Sequence, residues 1–169
     1  SADPESLDPH KTSTVYEAHI LRDLFMGLTI HNAKAEVEPG AAESWTISPD
    51  GKVYTFKLRA GATWSDGSPV TANDFVFSWQ RICDPATAAE YAYMLAPVMN
   101  AEDVTAGKKK PDELGVKAVD DMTFEVTLNA PTPYFLEMLT HQATYPVSKA
   151  NVEAKGADWW ALRMTRELD

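Results

Sequence analysis

The chain contains 169 residues, of which 44% are apolar and 24% charged; this supports a packed core and excludes wholesale disorder. The length fits one ordinary domain or two small ones. The formal net charge of −10 repels phosphate groups, so we expect no binding to nucleic acid or to anionic membranes. No apolar run approaches the length of about 18 residues that a membrane-spanning helix requires.

The first 40 residues predict a turn-rich start, one helix and a connector. Residues 1–11 contain two prolines and are typical of turns. From Thr14 onward, apolar residues recur at spacings of three and four, which predicts a helix, and Gly27 is a plausible end for it. Residues 29–42, rich in Ala and Glu, are expected to be a connector. The apolar positions of the helix are Val15, Ala18, Leu21, Leu24, Phe25 and Leu28.

Two β-hairpins are predicted from alternating residues. The first turns at residues 48–51, Ser-Pro-Asp-Gly, where Pro presets its own φ angle and Gly accepts a positive φ. The second joins residues 116–119 to residues 122–128 around two aspartates. Alternate apolar residues share one face of each hairpin: Tyr54, Phe56 and Leu58 in the first, and Phe124, Val126 and Leu128 in the second.

The best-specified helix follows Trp64. Thr71 is its predicted N-cap, and Asp74 is the acidic third residue of a capping box. Val70 can pack on Phe75 as a hydrophobic staple. The buried stripe is predicted to comprise Phe75, Val76, Trp79 and Ile82.

Shorter elements are predicted in the rest of the chain. They are a helix over residues 86–96 that Pro97 ends, a loop over 98–115, a short helix over 134–139, and a helix that Ser148 caps and that ends near Gly156.

No pattern of reactive residues indicates catalysis or metal binding. The four histidines lie far apart, and no pair has the spacing of metal ligands. Cys83 lies in a predicted core helix, a poor setting for a reactive thiolate, and as the only cysteine it cannot form an internal disulfide. We therefore expect no enzymatic activity, no cofactor and no metal site, although a catalytic site assembled from distant residues stays open.

The turn Trp-Ser-Asp-Gly at residues 64–67 has two interpretations. In the functional one, Trp64 is a platform on which a ligand stacks. In the structural one, Trp64 covers the first hairpin while Asp66 and Gly67 close a turn and Pro69 aligns the next helix. We favour the structural interpretation because each residue has a local conformational role.

Several ordered motifs resemble one known family. They are SLDPHK at 6–11, RDLFMGL at 22–28, Leu58-Arg59, Gly61, TWSDG at 63–67, VTA at 70–72, DFV at 74–76, GVKAVDDMTFEVTL at 115–128 and PTPYFLEML at 131–139. Together they extend over about residues 6–159. This series is similar to the extracytoplasmic solute-binding proteins that feed ABC peptide importers, the peptide/nickel type of family 5, and above all to the oligopeptide-binding branch.

The resemblance implies an α+β fold of the periplasmic-binding-protein type II, with a small mixed sheet of hairpins packed against helices. Residues 1–40 would be part of the first lobe, 41–150 the middle domain and 151–169 a C-terminal helical tail. Members of the family are much longer, so the chain is expected to be a fragment that lacks the second large lobe. The last ten residues depart from the family pattern and are expected to be non-native.

The resemblance also implies a function and a site. The full-length protein would capture short peptides in the periplasm, or elsewhere outside the cytoplasm with or without a lipid anchor, and deliver them to the membrane subunits of an ABC permease. Ser13, Thr14 and Val15 match the stretch that pairs with the peptide backbone, and Tyr91 matches a tyrosine near the ligand pocket. The family often has an acid near position 13, where Ser13 is neutral, and its helix begins after Val15.

Two alternatives stay open. In one, the chain is an interaction or structural module that binds no peptide and self-associates, because Leu21, Leu24 and Phe25 would lack their normal partner. In the other, the ligand is a solute other than a peptide, such as a nickel complex or a sugar, as in other members of the family.

Overall fold

The computed structural model describes residues 4–156 and 159–160. Within these residues the α-helices are α1 Val15–Leu24, α2 Ala72–Cys83, α3 Ala101–Thr105, α4 Phe135–Met138 and α5 Lys149–Lys155. The strands are β1 Thr29–His31, β2 Val37–Pro39, β3 Ala42–Ile47, β4 Val53–Leu58, β5 Val116–Asp120 and β6 Thr123–Thr127. Single turns of 3₁₀-helix occur at Pro85–Thr87, Ala92–Leu95, Pro111–Glu113 and Gln142–Thr144.

Four strands form an antiparallel sheet in the order β3-β4-β6-β5, and β1 pairs separately with β2. In the centre of the sheet Phe56 lies opposite Phe124, and Tyr54 lies opposite Val126. Since side chains alternate along a strand, these four residues and Leu58 share one face, and all five are buried. Both predicted hairpins, with their predicted inward faces, are confirmed.

Helix α2 packs on the buried face of this sheet and supplies the centre of the core. The ring of Trp79 is fully buried and meets Phe124 edge-on at 5.1 Å and Phe135 at 6.3 Å between ring centroids. Its indole N–H donates to the carbonyl of Thr144 at 3.0 Å, so its one polar atom is satisfied. Burying each such side chain contributes about 1.5–3 kcal/mol before entropy is subtracted. The predicted α+β class is confirmed.

The carboxylate of Asp74 fixes the start of α2. One of its oxygens, Oδ2, accepts the backbone N–H of Thr71 at 3.0 Å, which is the carboxylate half of the predicted capping box, and the indole N–H of Trp64 at 3.0 Å. The turn after Trp64 closes through backbone bonds to Ser68 and Gly67, and Gly67 has a φ of 86°. These bonds support the structural interpretation of Trp64.

Two stretches predicted as connector and loop contain regular structure. Residues 29–42 contain the β1–β2 ribbon, and residues 98–115 contain α3. The residue that precedes α3, Asn100, adopts the left-handed conformation with a φ of 67°. The ribbon strands are three residues long and α3 is five residues long. Elements this short offer too few positions for a hydrophobic period to be visible in the sequence.

The prediction of a single helix over residues 86–96 is wrong. The structure has two separate 3₁₀ turns there, because Ala88 adopts the left-handed conformation at φ 54° and ψ 42° and ends the first turn. Ala92 and Leu95 of the second turn are buried in the core. Tertiary packing therefore overrides the helical propensity of this Ala-rich stretch.

The end of α1 also differs from the prediction. The helix ends at Leu24, three residues before Gly27. Gly27 is required for another reason, since a Cβ atom there would lie 2.6 Å from the carbonyl oxygen of Leu139. Of the predicted apolar stripe, Leu21 is fully buried whereas Val15 is 71% exposed.

The last part of the chain follows the predicted elements. Residues 134–139 contain α4, and Ser148 caps α5, which has Gly156 at its C-cap. Within the described ranges, none of the helices has both the length and the apolar character that a bilayer crossing demands. The prediction that residues 160–169 are non-native lies outside the described residues, apart from Trp160.

Candidate functional site

Ser13, Thr14 and Val15 lie where the N-terminal loop passes into α1, and all three are exposed. Thr14 is the N-cap of this helix and has an extended backbone with φ −102° and ψ 150°. Pairing with an extended ligand chain requires an exposed stretch of extended backbone of this kind. The three predicted residues therefore form one continuous surface, which we call the edge segment.

The first helical residue is Val15, as the hydrophobic period predicts, so the later helix start implied by the family resemblance is wrong. A reciprocal capping box between Thr14 and Glu17 sets this boundary. The extended backbone ends at Thr14, and a role of Val15 in backbone pairing stays a prediction.

Tyr91, although 78 positions from Ser13, lies beside the edge segment. Its hydroxyl donates to the backbone carbonyl of Ser13 at 3.4 Å. The Tyr91 ring is half-buried and lies 5.9 Å from the ring of Tyr93 and 5.1 Å from that of His141, between centroids. The structure thus brings the predicted tyrosine and the predicted backbone stretch together.

The imidazole of His141 is the third ring of this aromatic group, beside Tyr91 and Tyr93. Burial, and secondarily the positive charge of Arg22, lowers its pKa. Its Nδ1 atom accepts the backbone N–H of Ala143 at 3.2 Å, which leaves the proton of the neutral ring on Nε2. At neutral pH the ring therefore adds a polarisable surface to the site without adding a charge.

A buried ion pair anchors the N-terminal loop to α2. The guanidinium of Arg81 donates from Nη1 to Oδ1 of Asp8 at 2.9 Å and from Nη2 to Oδ2 at 2.5 Å, and Asp8 is fully buried. Burial alone would raise the pKa of Asp8, but the hydrogen bonds from Arg81 and the charges of His10 and Arg81 outweigh it, and the pKa is lowered. The indole N–H of Trp159 also donates to Asp8 at 3.4 Å.

A cleft of about 380 Å³ lies at the other end of α1. Its walls include Leu24, Met26 and Trp64, with Arg22 and Arg59 among the polar lining residues. None of the four predicted binding residues lines it, so the cleft and the edge segment are separate features.

The site offers groups for binding, namely backbone amides, a phenol hydroxyl and aromatic rings. Among the described residues, no group of three or more His, Cys, Asp or Glu side chains is placed to hold a metal ion. Cys83 is fully buried, and burial raises the pKa of its thiol to about 11 despite a hydrogen bond with Thr105. Its thiol is protonated and inaccessible at neutral pH.

Sequence reasoning missed several residues that support the site. The Thr14-x-x-Glu17 spacing is a capping-box pattern and was available as a signal. No local pattern connects Asp8 to Arg81 or Tyr91 to His141, because these pairs are 73 and 50 positions apart and meet only through the fold.

Comparison with known proteins places this geometry in one family. The model of the bacterial extracellular solute-binding proteins, family 5 Middle, matches residues 36–164. The periplasmic oligopeptide-binding protein OppA of Salmonella typhimurium is 52% identical over 157 residues, which are 92% of this chain and 29% of that protein. YgiS of Escherichia coli, described as a probable deoxycholate-binding periplasmic protein, is 46% identical over 162 residues, which are 95% of this chain and 30% of that protein.

A solved structure agrees with these matches. The crystal structure of Haemophilus influenzae OppA in complex with the peptide RPPGFSPFR has a TM-score of 0.91 and 50% identity, and the match covers 94% of this chain and 31% of that one. The chain thus spans about 30% of the length of these relatives. OppA of Salmonella typhimurium and YgiS are both described as binding proteins. It belongs to the bacterial extracellular solute-binding proteins of family 5.

Proposed function

We propose that the full-length protein is an extracytoplasmic solute-binding protein that captures short peptides and delivers them to the membrane subunits of an ABC permease. The observation that carries this proposal is the 52% identity to a periplasmic oligopeptide-binding protein over 92% of the chain. The protein would work in the periplasm, free or held by a lipid anchor. It would change the location of the ligand and not its covalent structure.

In this proposal the edge segment and Tyr91 form one wall of the peptide site. The exposed backbone at Ser13 would pair with the backbone of the ligand. Thr14 and Val15 would continue the contact through groups other than the Thr14 N–H, which Glu17 accepts. Main-chain pairing supplies affinity that does not depend on the ligand's side chains, so a broad range of peptides can bind. Tyr91 would fix the position of the Ser13 carbonyl and line the adjoining pocket.

The division of the chain follows the same reasoning. Residues 1–40 would belong to the first lobe, 41–150 to the middle domain and 151–169 to a C-terminal tail. Within this tail the helix α5 continues to Lys155, and the prediction of a helical tail for residues 157–158 and 161–169 lies outside the described residues. The opposite wall would come from the part of the full-length protein that this chain does not include. Closure of the two walls around the peptide would create the form that the permease recognises.

Peptides are the favoured ligand class, and other solutes are the alternative. The Salmonella relative is named for oligopeptides, whereas YgiS, at 46% identity, is described as a probable deoxycholate-binding protein. Identity at this level therefore does not decide the ligand by itself. The edge segment favours peptides because extended backbone pairs best with another extended backbone.

A graft tests the transport role. This chain replaces the 157 matched residues of Salmonella OppA, and the resulting protein is expressed in a Salmonella strain that lacks its own copy and requires one amino acid. We expect growth when that amino acid is supplied only within a tripeptide. A graft that accumulates folded in the periplasm without supporting growth would contradict the proposal, and wild-type OppA is the positive control.

A second candidate is a self-associating interaction module. Four large apolar side chains on and after α1 are exposed by 46–84%: Val15, Tyr16, Leu24 and Met26. Two of the residues predicted to drive association are less available than expected, because Leu21 is fully buried and Phe25 lies 6.1 Å from the ring of Trp159. Leu24 remains exposed, so association of the isolated chain would centre on this surface.

A further inference from the structure

Glu17 makes more hydrogen bonds than a helix cap requires. It is the third residue of α1 and is only 4% exposed. Its Oε2 atom accepts the hydroxyl of Thr14 at 2.9 Å and the backbone N–H of Thr14 at 3.3 Å. Its Oε1 atom accepts the backbone N–H groups of Glu5 at 3.0 Å and Ser6 at 3.3 Å. One buried carboxylate therefore holds two stretches of chain that lie eight or more positions apart in the sequence.

These bonds close the N-terminal loop on both sides of its buried anchor. Residues 5 and 6 enter the loop and Thr14 leaves it, while Asp8, between them, is held by Arg81. Ser13 directly precedes the residue that Glu17 binds. The extended conformation of Thr14 is compatible with a carboxylate that reaches back from the first turn of the helix to its backbone N–H.

We infer that Glu17 is a positioning residue for ligand binding. It fixes the extended backbone of Thr14, whose N–H it accepts and whose carbonyl accepts the N–H of Ala18, and it thereby sets how the preceding residue, Ser13, presents its backbone to the peptide. This inference rests on the proposed function of the edge segment. Glu17 itself is buried under the loop, so we expect no direct contact between its carboxylate and the ligand. Its effect on affinity passes through Thr14.

Asp74 provides a matched control within the same chain. It is also the third residue of a helix, is only 8% exposed, and accepts three N–H groups, from Trp64, Thr71 and Lys149. Loss of its charge removes a comparable set of hydrogen bonds from the start of α2, which carries none of the four candidate binding residues. Asp74→Asn therefore reports what loss of a buried capping carboxylate does to stability alone.

The first experiment uses the chain itself and needs no ligand. Amide hydrogen exchange, measured by NMR, is compared among the wild type, Glu17→Gln and Asp74→Asn. In Glu17→Gln we expect the amides of Glu5, Ser6 and Thr14 to exchange at least tenfold faster relative to those of β4. Asp74→Asn should leave this ratio unchanged. If the exchange rates of all amides rose by the same factor in Glu17→Gln, Glu17 would contribute only to global stability, and the inference would be overturned.

The second experiment measures binding of the tripeptide Ala-Ala-Ala to the graft at a temperature where all variants are folded. Glu17→Gln should weaken binding at least tenfold, because its amide group cannot accept from Thr14 and from the loop together. Asp74→Asn should change the dissociation constant less than twofold. Glu17→Asp keeps an anionic acceptor for Thr14, as Asp74 does for Thr71, and should bind within about threefold of the wild type.

The outcomes separate the inference from the function on which it rests. The positioning role would be overturned if Glu17→Gln bound the tripeptide as tightly as the wild type. It would also be overturned if Glu17→Asp or Asp74→Asn lost as much affinity as Glu17→Gln. Failure of the unmutated graft to bind any tripeptide would instead refute the proposed function. The exchange ratios would then still decide whether Glu17 sets the backbone of Thr14.

Discussion

Asp8 and Arg81 show how single residues hold the candidate site in place. The carboxylate of Asp8 is fully buried, and both its oxygens accept from the Arg81 guanidinium, whose side chain is 12% exposed. A buried ion pair of this kind adds little to the free energy of unfolding when it is compared with two apolar residues at the same positions. Removing only one partner, however, lowers stability strongly because the remaining charge stays buried without its counter-ion.

Arg81→Met should therefore destabilise the chain by about 3–5 kcal/mol, since it leaves the Asp8 carboxylate buried without its cation. Urea unfolding at pH 7 measures the change. The control is the double variant Asp8→Asn with Arg81→Met, which should regain at least half of the loss because no charge remains unpaired. Equal stability of the single and double variants would show that the unpaired charge is not the cause.

His10 makes stability depend on pH. It is buried, donates from Nε2 to the carbonyl of Tyr145 at 2.9 Å, and lies with Nδ1 2.7 Å from Nη1 of Arg81. Burial, as the largest cause, and the nearby Arg81 lower the pKa of His10 from 6.5 to about 4, although Asp8 and the bond to Tyr145 act in the opposite direction.

Between pH 6.5 and pH 4 the unfolded chain binds a proton at His10 that the folded chain does not. The free energy of unfolding should therefore fall as the pH is lowered through this window, by roughly 3 kcal/mol in total from this residue. Urea unfolding at several pH values, with His10→Gln and the exposed His19→Gln as control, checks this. A slope in His10→Gln as steep as in the wild type and in His19→Gln would contradict the assignment.

At the scale of the element, α2 is the part of the chain whose prediction succeeded best. Its cap, its acidic third residue and its apolar stripe lie within twelve consecutive positions, and all of them were readable as local patterns. The prediction of a helix over residues 86–96 was wrong because the left-handed conformation of Ala88 depends on tertiary packing, which no local sequence pattern indicates. The β1–β2 ribbon and α3 were too short to show a period.

Asp74→Ala should destabilise the chain by about 2–3 kcal/mol, because it leaves the N–H groups of Trp64, Thr71 and Lys149 without their acceptor. Thermal and urea unfolding measure the loss. Asp50→Ala is the control: Asp50 is exposed in the β3–β4 turn, and its removal should cost less than about 1 kcal/mol. Losses of the same size in both variants would mean that the bonds to Asp74 do not organise the start of α2.

At the scale of the whole molecule, the alternating residues predicted the hairpins, and the resemblance predicted the α+β class and the family. The candidate site was accessible only in part. Ser13, Thr14, Val15 and Tyr91 came from the resemblance, and no periodicity or spacing in the chain indicated that Tyr91 reaches Ser13. Contacts between distant positions, such as Tyr91 with His141, follow from the assembled fold and not from any local signal.

The exposed apolar surface after α1 should make the isolated chain self-associate. Light scattering should show a mass that rises with protein concentration, because burying Leu24 and Met26 between copies removes apolar area from water. The double variant Leu24→Lys with Met26→Lys should stay monomeric. Val119→Lys, on the exposed face of β5, is the control and should behave as the wild type. A wild type that stays monomeric at all concentrations would refute this prediction.

The central claim is that this chain forms one wall of a peptide-binding site that needs a second wall. Calorimetric titration of the isolated chain and of the graft with the same mixture of tri- to pentapeptides tests it most directly. We predict micromolar or tighter binding by the graft, and for the chain alone nothing tighter than roughly millimolar, which corresponds to about 4 kcal/mol. Micromolar binding by the isolated chain, or no binding by a folded graft, would contradict the account.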